Sequence, residues 1–576
     1  MLPTSKRGEG ASQDGRDQAS PVGRGAAPPA PAALPAAPVP AALPRGLRTW
    51  QAVAVALAGG LGLALAFPPG GFWPLAVAGP ALLVVALWRR SLRGSFLVGL
   101  VFGIAFFVPL LSWVLNVAWY AWAALAGADT MIFALLAIGQ RLLLRLRVWP
   151  LAVAGWWVAA ESLRDRWPWG GFPWGRLAMS QASAPALRWV AVGGPSLLTF
   201  LLALAGACLA WLLLGSPTQG TRARLRRRAL PAASLAAAVG IALAGPLLPV
   251  DGGTPGTPTA VVAAVQGNVP RARNLPDLLR ANTVTTNHAE ATLQLAARIR
   301  SGAAQAPDVV IWPENSTDQD PRLNPFVYSA IAQAVKAIGR PLLVGAVLQN
   351  PVRNSGQLWL PHRGPVRTYI KRRLVPFGEV IPFRSFLDLV TSLPALQPVN
   401  FTPGHRAVVF HLGRIRLGDV ICYEVGFDGL VSSEVAAGAN LLTVQTNDAD
   451  FELDGQTGET LQQLAMARVR AVEHDRAVVV ASTTGVSAIV APDGKLLAHT
   501  RLWQRATVEA RVPLRSDITL ADRLGGWPEG LLTGATIAAL AWMIAVAVTA
   551  RRRLNPARAG EPRAAEPRAD EPSAAE

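Results

Sequence analysis

The chain has 576 residues, 51% of them hydrophobic and only 16% charged, with a formal net charge of +18. This is too apolar for an ordinary soluble protein of its length, and its arginines cluster at the ends of apolar runs, as in membrane loops. Nothing resembles a helix-turn-helix or a zinc finger, so a nucleic-acid partner is excluded, and one cysteine outside the apolar runs leaves no internal disulfide for a soluble part.

Residues 1–44 are Ala/Pro/Gly-rich with scattered charges and cannot bury a core, so they read as disordered. They lack the compact basic start and cleavage site of a plain signal peptide. Apolar runs follow at about 49–67, 74–88, 95–117, 121–140, 148–163, 188–214 and 229–249, with one more at 530–550. A membrane helix needs ~20 mostly apolar residues. The pattern predicts eight spans, seven of them in a membrane domain over 45–249.

Arginines test that count. They stand before the first run (Arg45, Arg48) and after the second (Arg89, Arg90, Arg93), the fourth (Arg141, Arg145, Arg147), the sixth (Arg222 to Arg228) and the eighth (Arg551 to Arg553). The loops after the first and third runs carry no Lys or Arg. Alternate loops are therefore basic, which predicts a cytoplasmic N-terminus. The fifth loop breaks the rule with Arg164, Arg166 and Arg176 interleaved among tryptophans. Either it is a generic interfacial anchor, or its arginines hold phospholipid headgroups near an active site. Glu161 ends an apolar run and should face protein or water, and Gly99 and Gly103 form a helix-packing GxxxG.

From 250 to 523 the composition changes to that of a soluble α/β domain. Strand-like runs lie at 259–266, 308–312, 341–348, 406–410, 415–421, 440–446, 477–481 and 486–491, and helical periods at 284–300, 325–338 and 458–475. This alternation predicts a layered α/β sandwich. After seven spans the domain lies outside the cytoplasmic membrane, and the helix at 530–550 returns the chain to a tail, 554–576, that reads as disordered.

Three stretches in that domain each follow a strand-like run: Trp312-Pro-Glu314, Tyr369-Ile-Lys371 running on to Glu379, and Cys422-Tyr-Glu424. A free cysteine is commonly an inert core residue. Here a carboxylate, an ammonium and a thiol can converge at one sheet edge. A thiol with a reference pKa of ~8.5 needs a base or a nearby cation to react at neutral pH. Glu314 can take its proton, and Lys371 can stabilise the thiolate and then an oxyanion. Asn447 and Asp448, after a later strand, are either site residues or turn formers.

Taken together, these motifs resemble the Glu–Lys–Cys triad of the nitrilase superfamily. The segment Lys371–Glu379, with Val265-Gln-Gly-Asn268, Thr446-Asn-Asp-Ala449, Ala66-Phe-Pro-Pro69, Gly171-Phe-Pro-Trp174 and Met179-Ser-Gln181, is similar to the apolipoprotein N-acyltransferase family in particular. The resemblance spans roughly 50–550. It implies an integral membrane protein of the inner membrane, with eight spans and a periplasmic αββα nitrilase-like domain between the last two. It implies Cys422 as nucleophile, Glu314 as general base, Lys371 as oxyanion partner, Glu379 as a further essential acid, and Tyr423 and Glu424 as supporting neighbours. The implied reaction is ping-pong: an acyl chain passes from the sn-1 position of a phospholipid, phosphatidylethanolamine by expectation, through a Cys thioester. It ends on the α-amine of the diacylglyceryl-cysteine of an apolipoprotein. The protein is expected to be a monomer. No cofactor or metal is expected, since there is no HExxH and the six histidines are scattered. Two stretches depart from the family: Asp450-Phe-Glu452 where an aromatic and Phe-Gly are usual, and Leu461-Gln-Gln463 where Trp-Gln-His is usual. Both are expected near the site mouth. A membrane-tethered amidase acting on small amides is the alternative.

Overall fold

The computed structural model describes residues 46–215, 221–250, 256–270, 276–390, 398–449, 451 and 457–554. The two terminal tails, and the departures at Asp450 and Glu452, lie outside the described residues. Eight helices occupy the eight apolar runs: α1 (Thr49–Ala66), α2 (Leu75–Leu87), α3 (Leu92–Leu110), α4 (Trp119–Leu143), α5 (Trp149–Arg164), α6 (Val190–Leu213), α7 (Thr221–Leu243) and, at the far end, α14 (Trp527–Leu554). Five segments are long and apolar enough to cross a membrane: α1, α3, α4, α6 with the turn leading into it, and α14 over Trp527–Thr549. The apolar part of α7, Arg228–Leu243, and α2 are shorter. Helix α7 starts eight residues before the apolar run, so the arginines expected in a loop lie in its first turns.

The helices pack through small residues. A Cβ on Gly99 would stand 2.5 Å from that of Ala137, and one on Gly103 3.0 Å from Thr130 Cα, so the GxxxG face is where α3 closes on α4. By contrast, α14 is apolar all round yet exposes Leu531, Ile537, Trp542 and Ile544. An uncovered apolar helix of this length suits hydrocarbon and is costly in water.

The second part is a four-layer sandwich. One sheet has the order β12-β1-β2-β3-β4-β5, and the other β11-β10-β9-β8-β7-β6. The first comprises β1 (Thr259–Gln266), β2 (Val309–Ile311), β3 (Leu342–Leu348), β4 (Arg353–Leu360), β5 (Gly364–Ile370) and the late strand β12 (Ala506–Pro513). The second comprises β6 (Val409–Leu412), β7 (Ile415–Ile421), β8 (Leu441–Thr446), β9 (Ala477–Ser482), β10 (Ala488–Val490) and β11 (Leu496–His499). In each sheet the three central strands run parallel: β1, β2 and β3 in one, β7, β8 and β9 in the other. Side chains alternate as the pleat requires. Ala260, Val262 and Ala264 face Leu417, Ile421 and Val479 of the opposite sheet, whereas Ala263 and Val265 face outward to α8 (Asp277–Arg300) and α9 (Pro325–Ile338). On the other side α11 (Asp428–Ala436) and α12 (Gly458–His474) cover the second sheet. Two short helices, α10 (Arg384–Val390) and α13 (Leu520–Leu524), complete the chain.

Each predicted strand is present. Strands β4, β5, β11 and β12, and helices α10, α11 and α13, were not predicted. The reason at β4 is physical: Asn354, Ser355 and Gln357 are buried beside Leu358 and Trp359, so polar and apolar residues do not alternate.

Trp113, Trp174, Leu177 and Met179 from the helical part share one core with Tyr423, Val425 and Met466. The Cys422-Tyr-Glu424 stretch is therefore packed directly against the helical part.

Candidate active site

The three motifs do converge. Glu314 follows β2 by three residues, in a loop that lies flat on β3. A Cβ at Gly345 would stand 2.1 Å from Pro313 O, so only glycine allows that approach. The side chain of Glu314 is buried, and Oε1 accepts from Lys371 Nζ at 2.8 Å and from Asn354 Nδ2 at 2.6 Å. Its Oε2 accepts from the backbone N–H of Asn447 at 3.0 Å. Three donors fix this carboxylate in place.

Lys371 is the first residue after β5 and is 1% exposed. Nζ also donates to Glu379 Oε1 at 3.0 Å. Glu379 is itself fixed by Asn354 Nδ2 at 2.8 Å and by the N–H of Val375 at 2.8 Å. Burial opposes the charge on Lys371, yet the Glu314 and Glu379 carboxylates outweigh it and hold the ammonium well above its ordinary value. Lys371 is thus a permanent cation, unsuited to be the base.

Cys422 directly follows β7 and opens a tight turn with φ +52°, a conformation uncommon for a residue with a side chain. Such strain costs ~1–3 kcal/mol and needs a surrounding structure that over-determines it. Glu424 supplies that structure. Its Oε2 accepts from the N–H of Ile421 at 2.8 Å and from Tyr369 Oη at 2.8 Å, and its Oε1 from the N–H groups of Arg372 and Arg373 at 2.7 and 2.9 Å. One wholly buried carboxylate therefore ties the Cys422 turn to the lysine segment. Burial pushes the Cys422 thiol well above its ordinary value, Glu314 pushes the same way, and Lys371 pulls against both. At rest the thiol is protonated.

Tyr423 points elsewhere. Its hydroxyl donates to Gly171 O, and its ring stacks on Trp174 at 5.7 Å and on Phe172 at 6.1 Å. It fastens the Cys422 turn to the fifth loop of the helical part. Within that loop, the headgroup reading fails for two of the three arginines. Arg164 is buried against Asp129 at 3.0 Å, and Arg176 against Asp165 at 3.2 Å and Asp428 at 2.7 Å. Both carry internal ion pairs, so neither offers a free cation to a phosphate. Arg166 is half exposed and pairs with Glu529 at 2.6 Å. Glu161 faces protein, accepting from Leu177 N and Thr199 Oγ1, both at 2.8 Å.

Sequence reasoning missed Asn354, whose single amide bridges Glu314 and Glu379. The open choice at Asn447 and Asp448 resolves by atom. The backbone N–H of Asn447 serves Glu314 while its side chain accepts from Thr483 Oγ1 at 2.8 Å, and Asp448 is buried among Thr446, Thr460 and Ser482. Gln463 and Glu459 also reach the site: Gln463 Nε2 lies 3.6 Å from Cys422 Sγ and donates to Glu459 Oε1 at 3.1 Å. Among the described residues no group of three or more His, Cys, Asp or Glu side chains is arranged to hold a metal ion.

A strand-end thiol facing a buried carboxylate–ammonium cluster on an αββα sandwich defines a carbon–nitrogen hydrolase fold, here built onto a membrane helix bundle. Residues 261–519 match the carbon-nitrogen hydrolase family, and residues 59–208 match the apolipoprotein N-acyltransferase N-terminal domain. An apolipoprotein N-acyltransferase from Mycolicibacterium smegmatis is 38% identical over 85% of this chain and 84% of its own. One from Azotobacter vinelandii is 30% identical over 89% of this chain and 97% of its own. Among solved structures, an amidase from Nesterenkonia sp. aligns with 44% of this chain and 91% of its own, at 18% identity and a TM-score of 0.32. The chain belongs to the apolipoprotein N-acyltransferase family, and it is a membrane protein.

Proposed function

We propose that the chain transfers a fatty acyl group from the sn-1 position of a phospholipid, phosphatidylethanolamine, to the α-amine of the N-terminal diacylglyceryl-cysteine of an apolipoprotein. The observation that carries this reading is the Glu314–Lys371–Glu379 cluster beside the strained Cys422 turn, which shares a core with the apolar helices. Glu314 takes the Sγ proton, and the thiolate attacks the ester carbonyl. Lys371 stabilises the oxyanion of the tetrahedral intermediate. The C–O bond then breaks, the departing lysophospholipid oxygen takes the proton back, and a thioester remains on Sγ. In the second half the amine attacks the thioester carbonyl, gives a proton to Glu314 and expels the thiolate, leaving an amide. Glu379 and Asn354 keep Lys371 and Glu314 in register, while Glu424 and Tyr423 hold the turn.

A thioester must be shielded from water until the amine arrives. Cys422 is 8% exposed and Lys371 1%, which supports that shielding. The arrangement is of eight spans, seven over 45–249 and the last near 530–550, with the N-terminus cytoplasmic and the catalytic domain, 250–523, on the periplasmic side. The alternating basic loops support this topology. The chain acts as a monomer. The purified chain, given phospholipid with a radiolabelled sn-1 acyl group and a diacylglyceryl lipopeptide, should label the lipopeptide amine. Hydrolysis of small soluble amides without lipopeptide labelling would replace this reading with a membrane-tethered amidase.

A further inference from the structure

Helix α12 begins at the site mouth, and two of its side chains one turn apart, Glu459 and Gln463, are buried there. Gln463 Nε2 is 3.6 Å from Cys422 Sγ and 3.1 Å from Glu459 Oε1. The partners fix which way the amide faces. A carboxylate only accepts, so an amide turned the other way would set its oxygen against a Glu459 oxygen. The nitrogen therefore points at both groups, one N–H to the carboxylate and the other toward sulfur. Amide donors do not titrate, so this one is present at every working pH.

We propose that Gln463 is a catalytic residue whose amide N–H stabilises the Cys422 thiolate, and that Glu459 is a positioning residue holding that amide in its donating orientation. The thiolate occurs twice in the ping-pong cycle, as nucleophile toward the phospholipid ester and as leaving group when the amine attacks. A donor on sulfur favours both passages, because in each the charge on sulfur is greater than in the thiol or the thioester. Lys371 and Glu314 approach the site from the first sheet and its loops, while Gln463 arrives from the helix covering the second. Sulfur is thus held from both sides of the sandwich. This inference rests on Cys422 being the nucleophile.

The test uses the full chain in detergent micelles. The rate of iodoacetamide alkylation at Cys422 is followed against pH by peptide mass spectrometry, which separates it from Cys208, together with acyl uptake from phospholipid. Gln463→Met keeps the volume and removes the donor. Its alkylation profile should move to higher pH, with at least a tenfold loss of rate at pH 7, the scale of one charge-assisted hydrogen bond. Gln463→Glu, which puts an acceptor against sulfur, should move it further. Gln463→His retains an N–H and should recover most of the wild-type profile. Glu459→Ala should cost less than Gln463→Met and add little to it in the double variant. If Gln463→Met does not fold, the contrast between a shifted Glu variant and a near-wild-type His variant carries the test. Profiles that coincide with wild type within twofold would overturn the inference while leaving the nucleophile assignment intact. A wild-type chain that takes up no acyl group at Cys422 would instead overturn the proposed function.

Discussion

Two of the clusters of buried charge among the described residues are built from different cations. At the proposed reaction centre the cation is Lys371, between Glu314 and Glu379. At the junction between helices and sandwich the cations are arginines: Arg164 on Asp129, Arg176 on Asp165 and Asp428, and Arg470 on Asp428 and Glu473. The difference follows from their chemistry. A guanidinium is planar, always charged and able to bind several carboxylates at once, which suits a fixed joint. An ammonium is a compact point charge that can follow a developing oxyanion. Burial works against the Asp428 carboxyl, yet Arg176 and Arg470 hold it well below the usual carboxylate range. That carboxyl therefore stays ionised across neutral pH, whereas burial pushes Asp165, which shares Arg176 with it, up to about 7. Asp428 belongs to α11, Arg470 to α12 and Arg176 to the fifth loop, so one carboxylate joins three elements of the two parts.

If the two clusters have separate tasks, variants should divide them. At the reaction centre Cys422→Ala should abolish acyl transfer, by ~10⁴-fold or more, and Lys371→Met should lower it by ~10²–10³-fold. For Cys422→Ala, thermal unfolding in detergent should match wild type. Activity that survives in Cys422→Ala would remove the distinction altogether.

At the joint the order reverses. Breaking a buried pair from one side typically costs ~3–5 kcal/mol, so Arg176→Met should lower the unfolding midpoint strongly. Its surviving folded fraction should still form the acyl-enzyme at close to the wild-type rate. A loss of rate per folded molecule as large as that of Lys371→Met would merge the clusters into one.

An acid outside both clusters sharpens the comparison because it forms no ion pair among the described residues. Asp419, in the strand that delivers Cys422, is wholly buried, accepts from Thr443 Oγ1 at 2.7 Å, and is pushed up to about 8 by burial, with Glu424 and Glu314 adding to it. The folded chain thus keeps a proton that the unfolded chain releases above about pH 4. Its contribution to stability is full below about pH 4, declines as the pH rises and is lost as it passes through about 8. Asp419→Asn should therefore raise the unfolding midpoint at pH 8 relative to wild type, with the difference vanishing near pH 4. A difference independent of pH would show that the carboxyl is ionised in the fold.

The smallest effect belongs to Tyr423→Phe. It loses the hydroxyl bond to Gly171 O, worth ~1 kcal/mol, but keeps the ring stack on Trp174 and Phe172. Acyl transfer should stay within about threefold of wild type, with a slightly lower midpoint. A loss on the scale of Lys371→Met would place the hydroxyl in the chemistry.

The reaction centre was legible in the sequence because its residues stand at strand ends, where a break in an apolar run marks the chemistry. Glu314 and Cys422 each follow such a run, whereas Lys371 follows the unpredicted β5 and was legible only through its motif. The helices were legible because hydrocarbon imposes a length. The joint was not: Arg164 and Asp129 are 35 residues apart, and Arg176 and Asp428 are 252 apart. No local pattern announces such partners, so the arginines read as an interfacial anchor or as headgroup ligands. Asn354 was hidden differently, in a strand whose buried polar residues conceal its period. Gln463 showed only as a departure from the family's usual residue, and its meaning came from its distance to sulfur.

The central claim is that Cys422 carries the acyl group between two lipid substrates. The most direct measurement is the mass of the purified chain after exposure to phospholipid without acceptor. The account predicts a fatty-acyl mass increment on the Cys422 peptide that hydroxylamine removes, that lipopeptide discharges, and that Cys422→Ala lacks. Lipopeptide acylation with no adduct on Cys422, or an adduct that persists in Cys422→Ala, would contradict it.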